Sequence, residues 1–148
     1  MNQNTLERLE VLNQQFNEIL GLYRTAVSHI KISENEFWSW YTLIIMKGEY
    51  SQQDICSAWS LSKQTVNTII THMVRKGYAT LEVVPGTRNR KIICLTETGS
   101  SYGESIIFPI SEAEQRAFEQ LPTEDIIAFS TIFDKYMRLL KDEFNAIE

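Results

Sequence analysis

Apolar residues along this chain recur at two distinct periods. Over residues 5–30, Leu6, Leu9, Leu12, Phe16, Ile19, Leu20, Tyr23 and Val27 return at three- and four-residue steps. That spacing predicts one long helix with a single apolar face, weakened only at Gly21. Ser33-Glu-Asn-Glu36 has the form of a capping box. It opens a second helix at about 34–47, which ends near Gly48. Phe37, Trp40, Tyr41, Ile44 and Ile45 share a face of this helix, and Trp38 falls partly off it. Ser51-Gln-Gln-Asp54 is a second box and opens a short helix at 51–58. After a break at 59–61, Ser62 is placed to cap a fourth helix that runs to Lys76. Gly77 stands where a left-handed residue closes a helix.

The period then changes. Ala79–Val84 and Lys91–Leu95 are β-branched runs separated by Pro85-Gly-Thr-Arg-Asn-Arg90, the pattern of a hairpin with a mobile tip. Thr96-Glu-Thr opens a fifth helix, with Gly99 early in it, which Pro109 is expected to bend or break. A last helix starts at Pro122 and ends near Ala146, with its apolar face running from Ile126 to Phe144. The order predicts a mainly α fold with a small β-hairpin wing. A winged helix-turn-helix occupies residues 33–96 of a single 1–148 domain, and helical segments at 1–30 and 100–148 flank it.

A helix that reads bases must bury one face and offer short polar groups on the other. In the 62–76 helix, Val66, Ile69, Ile70 and Met73 form the apolar stripe. Gln64, Asn67, Thr68, Thr71 and Arg75 lie opposite, with Thr65 and His72 on the flank and Ser62 and Lys63 at the start. No acidic residue occurs in these fifteen positions, whereas solvent-facing helices commonly mix Glu with Lys. The short helix before it is expected to brace it through Ile55, Trp59 and Leu61, with Cys56 at the close approach. The hairpin tip brings Arg88, Arg90 and Lys91 together, suited to a narrow minor groove. A solvated polar helix and a solvated turn are the plainer alternatives.

Charge sharpens the picture only when it is mapped. The chain carries a net −5. Residues 60–95, however, hold six basic residues against Glu82 alone, while the rest holds eight basic and eighteen acidic ones. A local cationic patch matters for phosphate binding more than the total. The apolar-faced segments at the two ends are expected to pair two copies, since linked heads gain effective concentration on a pseudo-palindromic site. The alternative is that they cover the central unit of a monomer.

Other classes find little support. Two separated cysteines, Cys56 and Cys94, and two histidines, His29 and His72, make neither a disulfide framework nor a zinc set. Cys56 reads as a small buried hydrophobe or, less simply, a redox sensor. No phosphate loop, HExxH or nucleophile elbow occurs, so neither an enzyme nor a cofactor is expected. There is no membrane-length apolar run and no secretion signal, and a cytoplasmic location is expected.

The stretch from Ser51 to Tyr78 resembles the helix-turn-helix of the MarR family of bacterial regulators: Leu61-Ser62 ends the turn, Thr65-Val66 follows, and Lys76-Gly77 closes. Leu95-Thr-Glu-Thr-Gly99 is similar to that family's Leu-Thr-Glu-x-Gly. Ser60 stands where many members have glycine. The family's wing Asp-x-Arg falls in register on Thr87 and Asn89, so Arg88 or Arg90 would take the arginine's part. The resemblance implies a dimeric, double-stranded-DNA-binding regulator, a repressor released by a small, often aromatic, ligand. Phe16, Tyr23, Phe37, Trp40 and Tyr41 are the candidate pocket lining, although aromatic residues at helical spacing also suit a core. Protein–protein contact without DNA, and a metal- or redox-responsive regulator of the same fold, are the competing readings.

Overall fold

The computed structural model describes residues 2–147, which contain six helices and one hairpin. The chain divides into two compact units, Met1–Ile110 and Ser111–Glu148. The first contains α1 (Gln3–Ser28), α2 (Glu34–Ile44), α3 (Gln52–Trp59), α4 (Lys63–Arg75), β1 (Ala79–Val83), β2 (Lys91–Leu95) and the start of α5 (Glu97–Phe118); α6 (Thr123–Asn145) belongs to the second.

Side-chain caps set the starts of α1 and α2. Asn2 Oδ1 accepts from the amides of Asn4 and Thr5, and Ser33 Oγ accepts from the amide of Glu36. The expected box at α2 is only half formed: the Glu36 carboxylate accepts from the Trp40 indole at 3.4 Å rather than reaching back to the cap. At α3 the box is complete. Ser51 Oγ accepts from the Asp54 amide, and Asp54 Oδ2 accepts from the Ser51 amide at 2.8 Å.

The core of the first unit lies where α2, α3, α4 and α5 meet. Phe37, Trp40, Ile55, Val66, Ile70, Met73 and Ile107 are fully buried there. Each such side chain contributes about 1.5–3 kcal/mol by leaving water, so the helix-turn-helix is held mainly by packing. Beside this core lies a second aromatic group. Trp38 stacks on Trp59 at 4.4 Å between centroids and meets Tyr23, Phe37 and Tyr41 edge-on or tilted. The Trp59 indole donates to Thr42 Oγ1 at 2.6 Å and so ties α3 to α2.

β1 and β2 pair antiparallel, from Ala79 opposite Leu95 to Val83 opposite Lys91. The Ile93 amide donates to the Tyr50 carbonyl at 2.8 Å, which fastens β2 to the segment entering α3. Pro109 does not break α5, which runs through it from Glu97 to Phe118. Ile106, Ile107 and Ile110 on either side of the proline pack on the core, and this burial offsets the missing backbone hydrogen bond. In the second unit Phe129 and Phe133 stack at 5.6 Å, Arg138 pairs with Asp134, and no α6 residue is buried.

Candidate nucleic-acid interface

The helix with the polar outward face is α4. The Ser62 hydroxyl starts it by accepting from the Thr65 amide at 3.1 Å, and the two hydroxyls lie 2.8 Å apart. Its end is set by Gly77, at φ 76°. The Tyr78 amide donates to the Met73 carbonyl and the Gly77 amide to that of Val74, a pair of bonds that needs a left-handed residue between helix and strand. Between these stops Val66, Ile70 and Met73 are buried and Ile69 half-buried.

Every other polar candidate on this helix faces outward. Ser62, Lys63, Gln64, Asn67, Thr68, Thr71, His72 and Arg75 are exposed, and Thr65 is half-buried against the cap. Thr68 Oγ1 donates to the Gln64 carbonyl at 2.9 Å, which turns its methyl and oxygen in a defined direction. The outward surface therefore carries amides, hydroxyls and two bases at its ends, without a carboxylate. Such groups can pair with adenine edges or contact the thymine methyl.

The start of α2 adjoins this face. An open cleft of about 380 Å³ is lined by Ser33, Asn35, Gln64, Thr65, Thr68 and Ile69. Asn35 is an exposed amide that sequence reasoning did not attach to the surface. Its only signal in the sequence is its place in the first turn of a capped helix.

In the wing, Pro85 and Gly86 occupy the centre of a tight turn that the Thr87 amide closes by donating to the Val84 carbonyl. Arg88, Arg90 and Lys91 are all exposed, but their settings differ. Arg90 Nη2 donates to Asp54 Oδ2 at 3.0 Å, across to the first turn of α3. Arg88 makes no ion pair among the described residues. Asp54 is held below the ordinary carboxylate value of 3.8, chiefly by the Ser51 amide; burial opposes this, and the Ser51 hydroxyl and the Arg90 charge add smaller lowering effects. The capping role of Asp54 was legible in the sequence, but its reach to the wing was not, because residues 36 positions apart carry no mark of their contact.

The five candidate pocket residues do not share one environment. Phe37 and Trp40 have no exposure. Trp40 packs against Tyr78 and Tyr102, whereas Tyr23, Phe37 and Tyr41 meet around Trp38. Phe16 is half-buried on α1. The hub of the group is the Trp38–Trp59 stack, whose two rings the periodicity did not single out as a pair. Of the cysteines, Cys56 is buried in the core and Cys94 is half-buried on β2. Burial, and then Glu82 nearby, raises the Cys94 thiol above its ordinary value, so this sulfur is poorly activated for oxidation. Among the described residues no three His, Cys, Asp or Glu side chains are grouped to hold a metal, and no helix is long and apolar enough to cross a membrane.

A family model described as MarR family matches residues 42–88, from the last turn of α2 into the wing tip. No curated protein sequence matches the chain. Solved structures match it along most of its length. NMB1585, a MarR family regulator from Neisseria meningitidis, is 21% identical with a TM-score of 0.82, covering 95% of this chain and 99% of that one. Staphylococcus aureus MepR in its DNA-binding conformation is 20% identical with a TM-score of 0.73, covering 89% and 98%. Bordetella bronchiseptica BpsR, whose DNA binding is regulated by 6-hydroxynicotinic acid, is 16% identical with a TM-score of 0.60, covering 86% and 91%. The segment from the end of α2 into the wing thus matches the MarR family pattern, and the fold along nearly the whole chain is the one seen in these solved MarR family regulators.

Proposed function

We propose that the chain is a sequence-specific double-stranded-DNA-binding repressor that acts as a homodimer on a pseudo-palindromic operator and is released by a small aromatic ligand. The observation that carries the DNA reading is the outward face of α4: amides and hydroxyls exposed, no acid, and a cationic wing in the same unit. Gln64, Asn67, Thr68 and Thr71 read base edges in the major groove, flanked by Ser62, Lys63, Thr65, His72 and Arg75. Arg88 enters the neighbouring minor groove, and Lys91 meets phosphate. The fold shared with MepR in its DNA-binding conformation supports this reading.

The ligand half draws support from BpsR, which answers to 6-hydroxynicotinic acid. An effector would meet the half-buried rings Phe16, Tyr23, Trp38, Tyr41 and Trp59 first, and would reach the buried Phe37 and Trp40 only by repacking them. Moving Trp59 would move the helix-turn-helix, because Trp59 ends α3.

The test is selection of duplexes from a randomised library, followed by binding across a salt series. Arg88→Ala should weaken binding to all duplexes and lower the salt slope by about one. Asn67→Ala should instead change which bases are selected, at a cost of about 1–3 kcal/mol at the affected position. No retardation of any selected duplex at micromolar protein and physiological salt would overturn the reading and favour a protein-contact module. Release of bound duplex by a panel of small phenols tests the ligand half.

A further inference from the structure

The wing and the brace helix are joined by one carboxylate. In sequence Asp54 is simply the third residue of a capped helix, whose carboxylate ordinarily reaches back to the cap. In the structure its Oδ2 collects three donors: the Ser51 amide at 2.8 Å, the Ser51 hydroxyl at 2.9 Å and Arg90 Nη2 at 3.0 Å. The first two bonds hold the carboxylate still before the wing arrives. An ion pair on a fixed partner loses less side-chain freedom than one between two free chains, so it holds more than an ordinary surface pair. The pair closes one side of a cleft of about 470 Å³ lined by residues 51–54 and 89–91. The Arg90 carbonyl also accepts from the Val84 amide at 2.8 Å, so fixing Arg90 fixes both legs of the tip.

We propose that Asp54 is a positioning residue of the wing: through Arg90 it sets the tip against the first turn of α3, so that Arg88 is the wing's DNA-reading cation and Arg90 its anchor. This rests on the DNA-binding reading above and goes beyond it by dividing the wing's arginines between two jobs. A direct phosphate contact by Arg90 would require it to leave a carboxylate that the Ser51 donors already hold in place.

The experiment compares Arg90→Gln, Asp54→Asn, the double variant and Ser51→Ala in the full chain, with two readouts. Amide hydrogen exchange at Val84 reports the wing without any DNA. Binding to a duplex selected by the wild type from a randomised library reports the function. Both single variants should speed Val84 exchange and weaken binding about fivefold, the upper range for a partly exposed pair. The double variant should lose no more than either single, and the salt slope should stay that of the wild type. Ser51→Ala, which removes the hydroxyl but leaves the pair, should bring Val84 exchange less than halfway to that of Asp54→Asn.

Asp54→Asn binding as tightly as the wild type, or more tightly, overturns the proposal. So do multiplied losses in the double variant, and a salt slope lowered by about one in Arg90→Gln, which would place Arg90 on a phosphate. Ser51→Ala matching Asp54→Asn in exchange would assign the effect to the start of α3 and also overturn it. If the wild type selects no duplex, the DNA reading itself falls, and unchanged Val84 exchange in the variants would separately remove the anchor.

Discussion

Two backbone positions show how tightly single residues govern this fold. At Gly99 an added Cβ would sit 1.9 Å from the Tyr78 carbonyl oxygen, because α5 starts directly over the end of α4. Thr96 makes that approach: its amide donates to the Tyr78 carbonyl, its hydroxyl donates to that of Gly77, and it accepts from the Gly99 amide. The Leu-Thr-Glu-x-Gly pattern is thus a clamp between β2, α4 and α5. Gly99→Ala should cost about 3 kcal/mol or more, since backbone and not a yielding side chain is struck; urea unfolding will measure it. Ser60 is the opposite case. It holds φ 52° in the turn between α3 and α4, a left-handed conformation that an L side chain resists. Ser60→Gly should raise stability by about 0.5–1 kcal/mol, the relief of strain less the added freedom of the unfolded chain. A lower urea midpoint for that variant would show that the serine is not strained.

At the scale of elements, α4 works because its two ends are fixed independently of its exposed face. Ser62 caps its start and Gly77 closes its end, so Gln64, Asn67, Thr68 and Thr71 carry no part of the fold's stability beyond local bonds. Such a face can change its side chains without unfolding the unit. The brace α3 is held differently, by bonds that reach out of it. Trp59 ties its end to Thr42 of α2, and Asp54 ties its start to the wing. A shift of α2 against α1, around Tyr23 and Trp38, would therefore be passed to the turn that sets α4. Long-range ties of this kind are absent from the periodicity, which reports only which face of a helix is apolar.

At the scale of the whole molecule, the apolar surface left in water is the dominant fact. On α6, Ile127, Phe129 and Ile132 are 59%, 65% and 68% exposed, and on α1 Leu6, Val11, Ile19 and Leu20 are exposed as well. Monomeric proteins seldom leave such faces bare. We expect these faces to be covered by a second copy, which also supplies the second recognition helix for a pseudo-palindrome. Replacing Phe129 and Ile132 together by Asp should convert a dimer to a monomer in sedimentation at micromolar concentration. The helix-turn-helix should stay folded, and duplex affinity should fall at least tenfold as the two heads lose their linkage. A wild type that sediments as a monomer would end the dimer proposal.

Sequence alone determined the elements and their order, and it did so through local physics. Apolar spacing, Ser62, Ser51 and Gly77 act within a few residues, so α4, its polar face and the hairpin are written in consecutive positions. It overreached where a neighbour competes for the same group, since Glu36 serves Trp40 rather than its cap; at Pro109, burial of Ile106, Ile107 and Ile110 carries α5 through without a break. The tertiary structure alone decided which aromatic rings are core and which surround the Trp38–Trp59 stack, why glycine is required at position 99, and that Arg90 answers to Asp54 while Arg88 does not. Each of these depends on two atoms brought within a few ångströms by chain packing, a meeting that no periodicity within one segment encodes.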